Sequence, residues 1–217
     1  MPTEYYNKIL YPLQNRVLAI FKDTPFYLTG GTALSRGYFH HRYSDDLDLF
    51  VNDHNGFERL VSEVFEKLRN QFPPAEVVVR ESAFCQIFLG VEQLKVELIN
   101  DVPAHVGDFV DHPELGRLDS CDNILANKVA ALIDRAHPKD VVDLYFLLKS
   151  GLSLKQALTD ANSKAAGITP LLVARILAEF HYEQLASIRW IITDPDKERI
   201  RRYLTAVARG IVNGDGT

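Results

Sequence analysis

The chain is poor in cysteine, in long apolar runs and in excess positive charge, and each scarcity narrows its chemistry. Cys85 and Cys121 are the two cysteines among 217 residues. Two thiols build no disulfide framework, and no Cys or His group has the spacing of a zinc site. No apolar run approaches the roughly 18 residues needed to cross a bilayer, and the N-terminus carries no apolar leader core. A reducing cytoplasm is the expected setting, with no membrane partner. Lysine and arginine number 24 against 29 acids, a net charge of −5. That balance excludes a bulk polyanion binder, so any nucleic-acid contact has to come from a local patch. There is no internal repeat, no low-complexity tract and no motif that reads DNA sequence. What remains is ordinary globular composition, 47% hydrophobic and 24% charged, enough to fill a core in one or two domains.

The chemistry concentrates in one stretch, Phe26 to Val51. Phe26-Tyr27-Leu28 reads as a short buried strand. Gly30 and Gly31 follow, where the backbone can turn sharply and approach a ligand closely. Thr32 then opens a helix-compatible segment, and free N–H groups at a helix start favour phosphate. Asp46-Leu47-Asp48-Leu49-Phe50-Val51 reads as a second strand, with Asp46 and Asp48 on one face and Leu47 and Leu49 on the other. Paired carboxylates repel one another, and a divalent cation relieves the conflict. Magnesium suits one or two carboxylates, several waters and substrate phosphates. Asp45, on the opposite face, is read as a solvated or structural acid.

The ordered set of a strand, Gly-Gly and an Asp-x-Asp on the next strand resembles the polymerase-beta type of nucleotidyltransferase fold. The fuller string, GGTAL, then His41-Arg42-x-Ser44, then Asp46 to Phe50, resembles the AbiEii/AbiGii toxin family of nucleotidyltransferases. A second segment, residues 125–148, extends the likeness: Lys128, Arg135, Asp140 and Asp143 match the family's Lys-x(2)-Ala-x(4)-Arg and Asp-x(2)-Asp-Leu. Lys139 stands where the family often has arginine. The resemblance spans about residues 26–148. It implies an enzyme that moves a nucleoside monophosphate from an NTP to an acceptor hydroxyl, on RNA or protein, and a cognate antitoxin. It also implies magnesium or manganese held by Asp46, Asp48 and a third acid.

For that third acid the resemblance points to Glu97, flanked by Val96 and Leu98 on a downstream strand, as base or metal ligand. The plain alternative for Glu97 is a solvated strand residue, and Asp101 is the reserve. Gly30, Gly31, Thr32, Arg42, Ser44, Lys128, Asp140 and Asp143 are the expected nucleotide-binding set. Arg42 suits either a phosphate or a bracing of Asp45 or Asp46. Lys128, rooted at the border of an apolar stripe, needs an anion, and the triphosphate is the natural one. Arg135 with Asp140 or Asp143 suits an inter-helix ion-pair network equally well.

The expected fold is α/β or α+β: a nucleotidyltransferase-type mixed sheet with flanking helices over residues 1–105, and a helical domain over 106–217 that closes the nucleotide site. Helices are predicted over 4–22, kinked at Pro12 with Ile9 inward, and over 56–70, 154–162, 170–180 and 197–211. A meander of strands covers 76–80, 84–89 and 94–99. Residues 101–119 read as an irregular linker with His105 and His112 solvated, and Asp119-Ser120 as a helix cap. Lys197, Arg199, Arg201, Arg202 and Arg209 form the most basic run, read as a solvated helix face before an RNA patch. Trp190 and Tyr203 are read as core before base-stacking residues. A degenerate transferase fold that binds nucleotide or protein without turnover, and a metal-dependent phosphohydrolase, are the competing functions.

Overall fold

The computed structural model describes residues 2–214 and divides into two compact units. The first holds the described residues up to Tyr38 and Tyr43–Asp119; the second holds Phe39–Arg42 and the described residues from Ser120 on.

The first unit starts with a short helix α1 (Pro2–Tyr5), a π-turn (Tyr6–Leu10) and α2 (Tyr11–Phe21). Pro12 lies in the first turn of α2, where its missing N–H costs nothing. The wider π-turn before it rotates the buried stripe to Tyr6, Leu10, Leu13 and Val17, and Ile9, expected inward, is exposed.

Among the described residues, seven strands form one sheet in the order β3-β4-β5-β2-β1-β7-β6. They are β1 (Tyr27–Thr29), β2 (Leu47–Asn52), β3 (Ala75–Arg80), β4 (Phe84–Leu89), β5 (Leu94–Asp101), β6 (Val110–His112) and β7 (Gly116–Leu118). The meander β3-β4-β5 is antiparallel as expected, while β2–β5 and β1–β7 are parallel, which makes the sheet mixed. Alternation decides its faces. Leu47, Leu49, Val96, Leu98, Cys85 and Ile87 are buried on one side. There α4 (Phe57–Gln71) turns Phe57, Val61, Val64 and Leu68 inward. Between β1 and β2 a helical segment runs as α3 (Gly30–Thr32) and a π-segment (Ala33–Phe39). A Cβ on Gly37 would lie 2.5 Å from Leu118 Cδ1, so that glycine lets the segment approach β7.

Two expectations change here. Residues 110–112 and 116–118, read as linker, are strands, and β7 extends the sheet beside β1. The first unit therefore continues to Asp119 rather than ending at residue 105, and Phe39–Arg42 belongs to the second unit.

That second unit is helical: α5 (Cys121–Asp134), α6 (Pro138–Lys149), α7 (Leu154–Lys164), α8 (Pro170–Glu179) and α9 (Lys197–Asn213), with a 3₁₀ turn at Tyr182–Ser187. Each α-helix opens on a side-chain cap, from Ser120, His137, Ser153, Thr169 and Asp196. Each cap accepts one of the N–H groups that a helix start leaves unpaired. Pro138 and Pro170 occupy first turns. Arg199, Arg201, Arg202 and Arg209 lie exposed along α9, with Arg201 paired to Glu198, the solvated helix face expected for this run.

Candidate functional site

The acids assemble on the sheet face opposite the buried leucines. Asp48 on β2 is the lateral partner of Glu97 on β5, and on its other side of Thr29 on β1. Laterally paired residues share a face, and neighbouring strands lie about 4.8 Å apart. Asp46 stands just before β2. Its Oδ2 and Glu97 Oε1 each lie 3.2 Å from the same atom, Lys95 Nζ. Lys95 and Glu97 are two residues apart on β5 and so face the same way. Gln86, opposite Glu97 on β4, donates from Nε2 to Glu97 Oε1 at 2.8 Å. Burial pushes the Glu97 carboxyl up, but the Gln86 bond and the Lys95 charge outweigh it and hold the group below its usual range. Burial likewise pulls the Lys95 ammonium down, and the charges of Asp46 and Glu97 more than reverse this. Asp101, the reserve acid, is still on β5 and on the Glu97 face, aligned with Asn52 near the far end of β2.

Gly30 meets this row edge-on. Its φ is +65°, and a Cβ there would sit 2.5 Å from Asp48 Oδ2. Only glycine lets the start of the helical segment come so close to the carboxylate. Thr29 precedes that segment without capping it, because its hydroxyl bonds to Asp119 Oδ2 instead. Thr32 is fully buried. Its hydroxyl donates to the Asp46 carbonyl and lies 2.9 Å from Ser44 Oγ. Thr32 and Ser44, expected to meet phosphate, are thus turned inward, where they fix the loop that delivers Asp46. The same loop is braced by Gln14, which donates to the Asp45 carbonyl at 2.9 Å, and by Tyr6, which donates to the Asp45 carboxylate. Tyr6 also stacks on Tyr43 with ring centroids 4.0 Å apart. Asp45 is accordingly a structural acid.

His105 is not solvated as expected. Its Nε2 lies 3.0 Å from Oδ1 of the fully buried Asp119. The capping role falls to Ser120 alone.

Arg42, Lys128, Asp140 and Asp143 come together in the second unit, and there they engage one another. Lys128 Nζ lies 2.7 Å from both Asp140 Oδ1 and Asp143 Oδ2. Arg42 reaches Asp143 through Nε at 2.8 Å and through a second guanidinium nitrogen at 2.6 Å. His41 Nε2 lies 2.9 Å from Asp143 Oδ1, and Arg135 closes on Asp140. The ion-pair network weighed for Arg135 is therefore present and larger than expected. Arg42 braces Asp143. Burial pushes the Asp143 carboxyl up, yet Arg42 and Lys128 hold it well below the usual carboxylate range. Burial lowers the His41 imidazole despite its Asp143 bond, and its Nδ1 finds no partner among the described residues.

The sequence alone did not single out Lys95, Gln86, Tyr6 or Gln14, and it marked Asp119 only as part of a helix cap. Strand alternation could have found Lys95, which shares the face of Glu97. The others act across long sequence separations.

A cation position is built into the first unit. Two carboxylate oxygens converge on one ammonium, and a third carboxylate, Asp48, lies beside them in register. The donors are hard oxygens, as magnesium or manganese prefers. Among the described residues no group of three or more His, Cys, Asp or Glu side chains is placed to hold a metal ion by itself, and no helix is long and apolar enough to cross a membrane. One or two carboxylates completed by waters and substrate phosphates is the pattern magnesium accepts.

The model of one protein family, described as nucleotidyl transferase AbiEii toxin of a Type IV TA system, matches residues 13–209. No curated protein sequence matches the chain. Among solved structures, JHP933 from Helicobacter pylori is similar at 20% identity and a TM-score of 0.62, over 94% of this chain and 91% of that one. The nucleotidyltransferase toxin MenT4 from Mycobacterium tuberculosis is similar at 18% identity and a TM-score of 0.65, over 93% and 83%. The antibiotic-resistance factor ANT(2'')-Ia shares the fold over 73% of this chain and 91% of its own, at 12% identity and a TM-score of 0.53.

Proposed function

The chain belongs to the AbiEii nucleotidyl transferase toxin family and is a nucleotidyltransferase, and from that premise we propose that it transfers a nucleoside monophosphate from an NTP to an acceptor hydroxyl. The new bond joins the acceptor oxygen to the α-phosphorus, the bond to the β-phosphate oxygen breaks, and pyrophosphate leaves. The observation that carries this reading is the convergence of Asp46 and Glu97 on one cation position, with Asp48 in register beside them and Gly30 packed against Asp48.

Asp46, Asp48 and Glu97 are the proposed ligands of magnesium or manganese. When bound, such an ion would neutralise triphosphate charge and polarise the reacting phosphoryl group. The chain's own residues do the rest. Glu97, oriented by the hydrogen bond from Gln86, can take the proton of the acceptor hydroxyl. The backbone at Gly30 and Gly31 offers the triphosphate N–H donors where no side chain stands in the way. Thr32 and Ser44 hold the Asp46 loop. For Arg42, Lys128, Asp140 and Asp143 the nucleotide role implied by the resemblance is kept as a proposal. Its chemical basis is the Lys128 ammonium, which has three donors and places two on the carboxylates. Family membership also motivates RNA or protein as the acceptor, and an antitoxin as partner.

A labelling experiment tests the reading. Each α-labelled NTP is incubated with the protein, total RNA and magnesium or manganese, beside Asp46→Ala/Asp48→Ala. Transfer predicts label on RNA or protein, pyrophosphate in equal amount, and neither product in the variant. Labelled nucleoside monophosphate free in solution would instead make the protein a phosphohydrolase. Nucleotide binding with no turnover would make it a binding module.

A further inference from the structure

We propose that Lys95 is the resident counter-cation of the acid cluster, that a divalent metal displaces it, and that the displaced ammonium then binds a phosphate of the nucleotide. The inference rests on the nucleotidyl-transfer reading but assigns a residue that neither the motif nor the family match calls for.

Its basis is geometric. Lys95 Nζ stands 3.2 Å from Asp46 Oδ2 and 3.2 Å from Glu97 Oε1, so it bridges the loop before β2 to β5 across the front of the row. A divalent ion that took these two oxygens would meet a positive charge already on them. Two cations at such separations repel strongly in a half-buried setting, so metal and ammonium compete for the same ligands. The side chain is 27% exposed and ends a flexible four-carbon stem, so the ammonium is free to swing away from the carboxylates. Its root stays on β5 two residues from Glu97, on the same face as that acid. An ammonium left beside a polyanion finds its partner there. Charge supports the same sequence of events. Asp46, Asp48 and Glu97 carry three negative charges when ionised, and Lys95 cancels one of them until a metal–nucleotide complex arrives with both its cation and its phosphates. Empty acids would otherwise repel one another and splay the loop before β2.

The test measures binding, not turnover. Mn2+ binding to the full-length protein is followed by electron paramagnetic resonance of the free ion, without nucleotide. Tripolyphosphate, a base-independent probe, is titrated separately in the presence of Mg2+. Lys95→Met is expected to bind Mn2+ about tenfold or more tighter than wild type, and tripolyphosphate about tenfold weaker. Lys95→Arg, which keeps the charge, is expected to stay near wild type in Mn2+ affinity and separates charge from packing. Unchanged Mn2+ affinity in Lys95→Met, or unchanged tripolyphosphate affinity, overturns the proposal. Asp46→Asn/Asp48→Asn is the control for the underlying reading. If Mn2+ binding survives there, the cluster is not the metal site and both conclusions fall. If it disappears there while Lys95→Met matches wild type, the Lys95 inference alone fails.

Discussion

Gly30 shows how much of the candidate site depends on a single missing carbon. At φ +65° an L side chain is strained, by roughly 1–2 kcal/mol. The added Cβ would also lie 2.5 Å from Asp48 Oδ2, so the carboxylate would have to move. Gly30→Ala is therefore expected to fold with a modest loss of stability and to lose about a hundredfold in turnover, since a displacement near 1 Å at a reacting centre costs that much. Steady-state labelling beside a melting curve checks it. Turnover within a factor of two of wild type would mean that Gly30 does not set the position of Asp48. At this scale the sequence was most legible where alternation acts. Period two put Asp46 and Asp48 on one face and Glu97 opposite Val96 and Leu98, while the choice of Glu97 as third acid came from the family resemblance. Thr32 and Ser44 stand in the expected nucleotide-binding set, and a hydroxyl in such a motif reads the same whether it points outward to phosphate or inward to a carbonyl. Only the fold, which buries Thr32 completely, decides between them. Asp119 was taken for part of a cap because its partners, Thr29 and His105, lie 90 and 14 residues away in sequence.

Among the elements, the pair α5–α6 is held by charge to an unusual degree. Asp143 is fully buried and accepts from His41, Arg42 and Lys128, while Asp140 takes Lys128 and Arg135. A buried network of this kind adds little over a well-packed apolar core, but removing one member strands the others. Lys128→Met leaves two buried carboxylates short of a cation and is expected to cost about 3–5 kcal/mol, read from the denaturation midpoint of the full chain. A loss below about 1 kcal/mol would mean that Arg42 and Arg135 alone satisfy both acids. The helices themselves were legible from their apolar stripes, prolines and caps. β6 and β7 were not, because each has three residues and sits among prolines and glycines that read as a linker. Their strand character comes from pairing, β7 with β1 and β6 with β7, which no local pattern announces. The π-turn at Tyr6–Leu10 escaped for a related reason: one extra residue per turn shifts every later position, and Ile9 leaves the core while Tyr6 enters it.

For the molecule as a whole, the titration of these buried groups sets a direction for stability against pH. His41 and His137 are both lowered, chiefly by burial, from an ordinary value of 6.5. The unfolded chain therefore takes up these protons first as pH falls, and stability declines below about pH 6.5 until the folded-state values are passed. Asp140 and Asp143 are lowered from 3.8 because Lys128, Arg42 and Arg135 outweigh their burial. Their contribution is complete above that value and is lost as pH falls through the folded-state values, so a second decline belongs to strong acid. The two declines have separate origins, and one variant separates them. His41→Gln keeps a side-chain N–H near Asp143 but does not titrate. It is expected to flatten the decline that begins below about pH 6.5, where one proton of difference is worth at most about 1.4 kcal/mol per pH unit, and to leave the strong-acid decline in place. Urea midpoints from pH 8 to 3 for both proteins measure this directly. An identical slope in the two would assign the first decline to His137 or to another group and would remove His41 from the account. The sequence pointed to His41 through its place in the His-Arg motif. It could not show that the ring is sealed against Phe146, with centroids 4.5 Å apart, and that burial rather than a catalytic partner governs its proton.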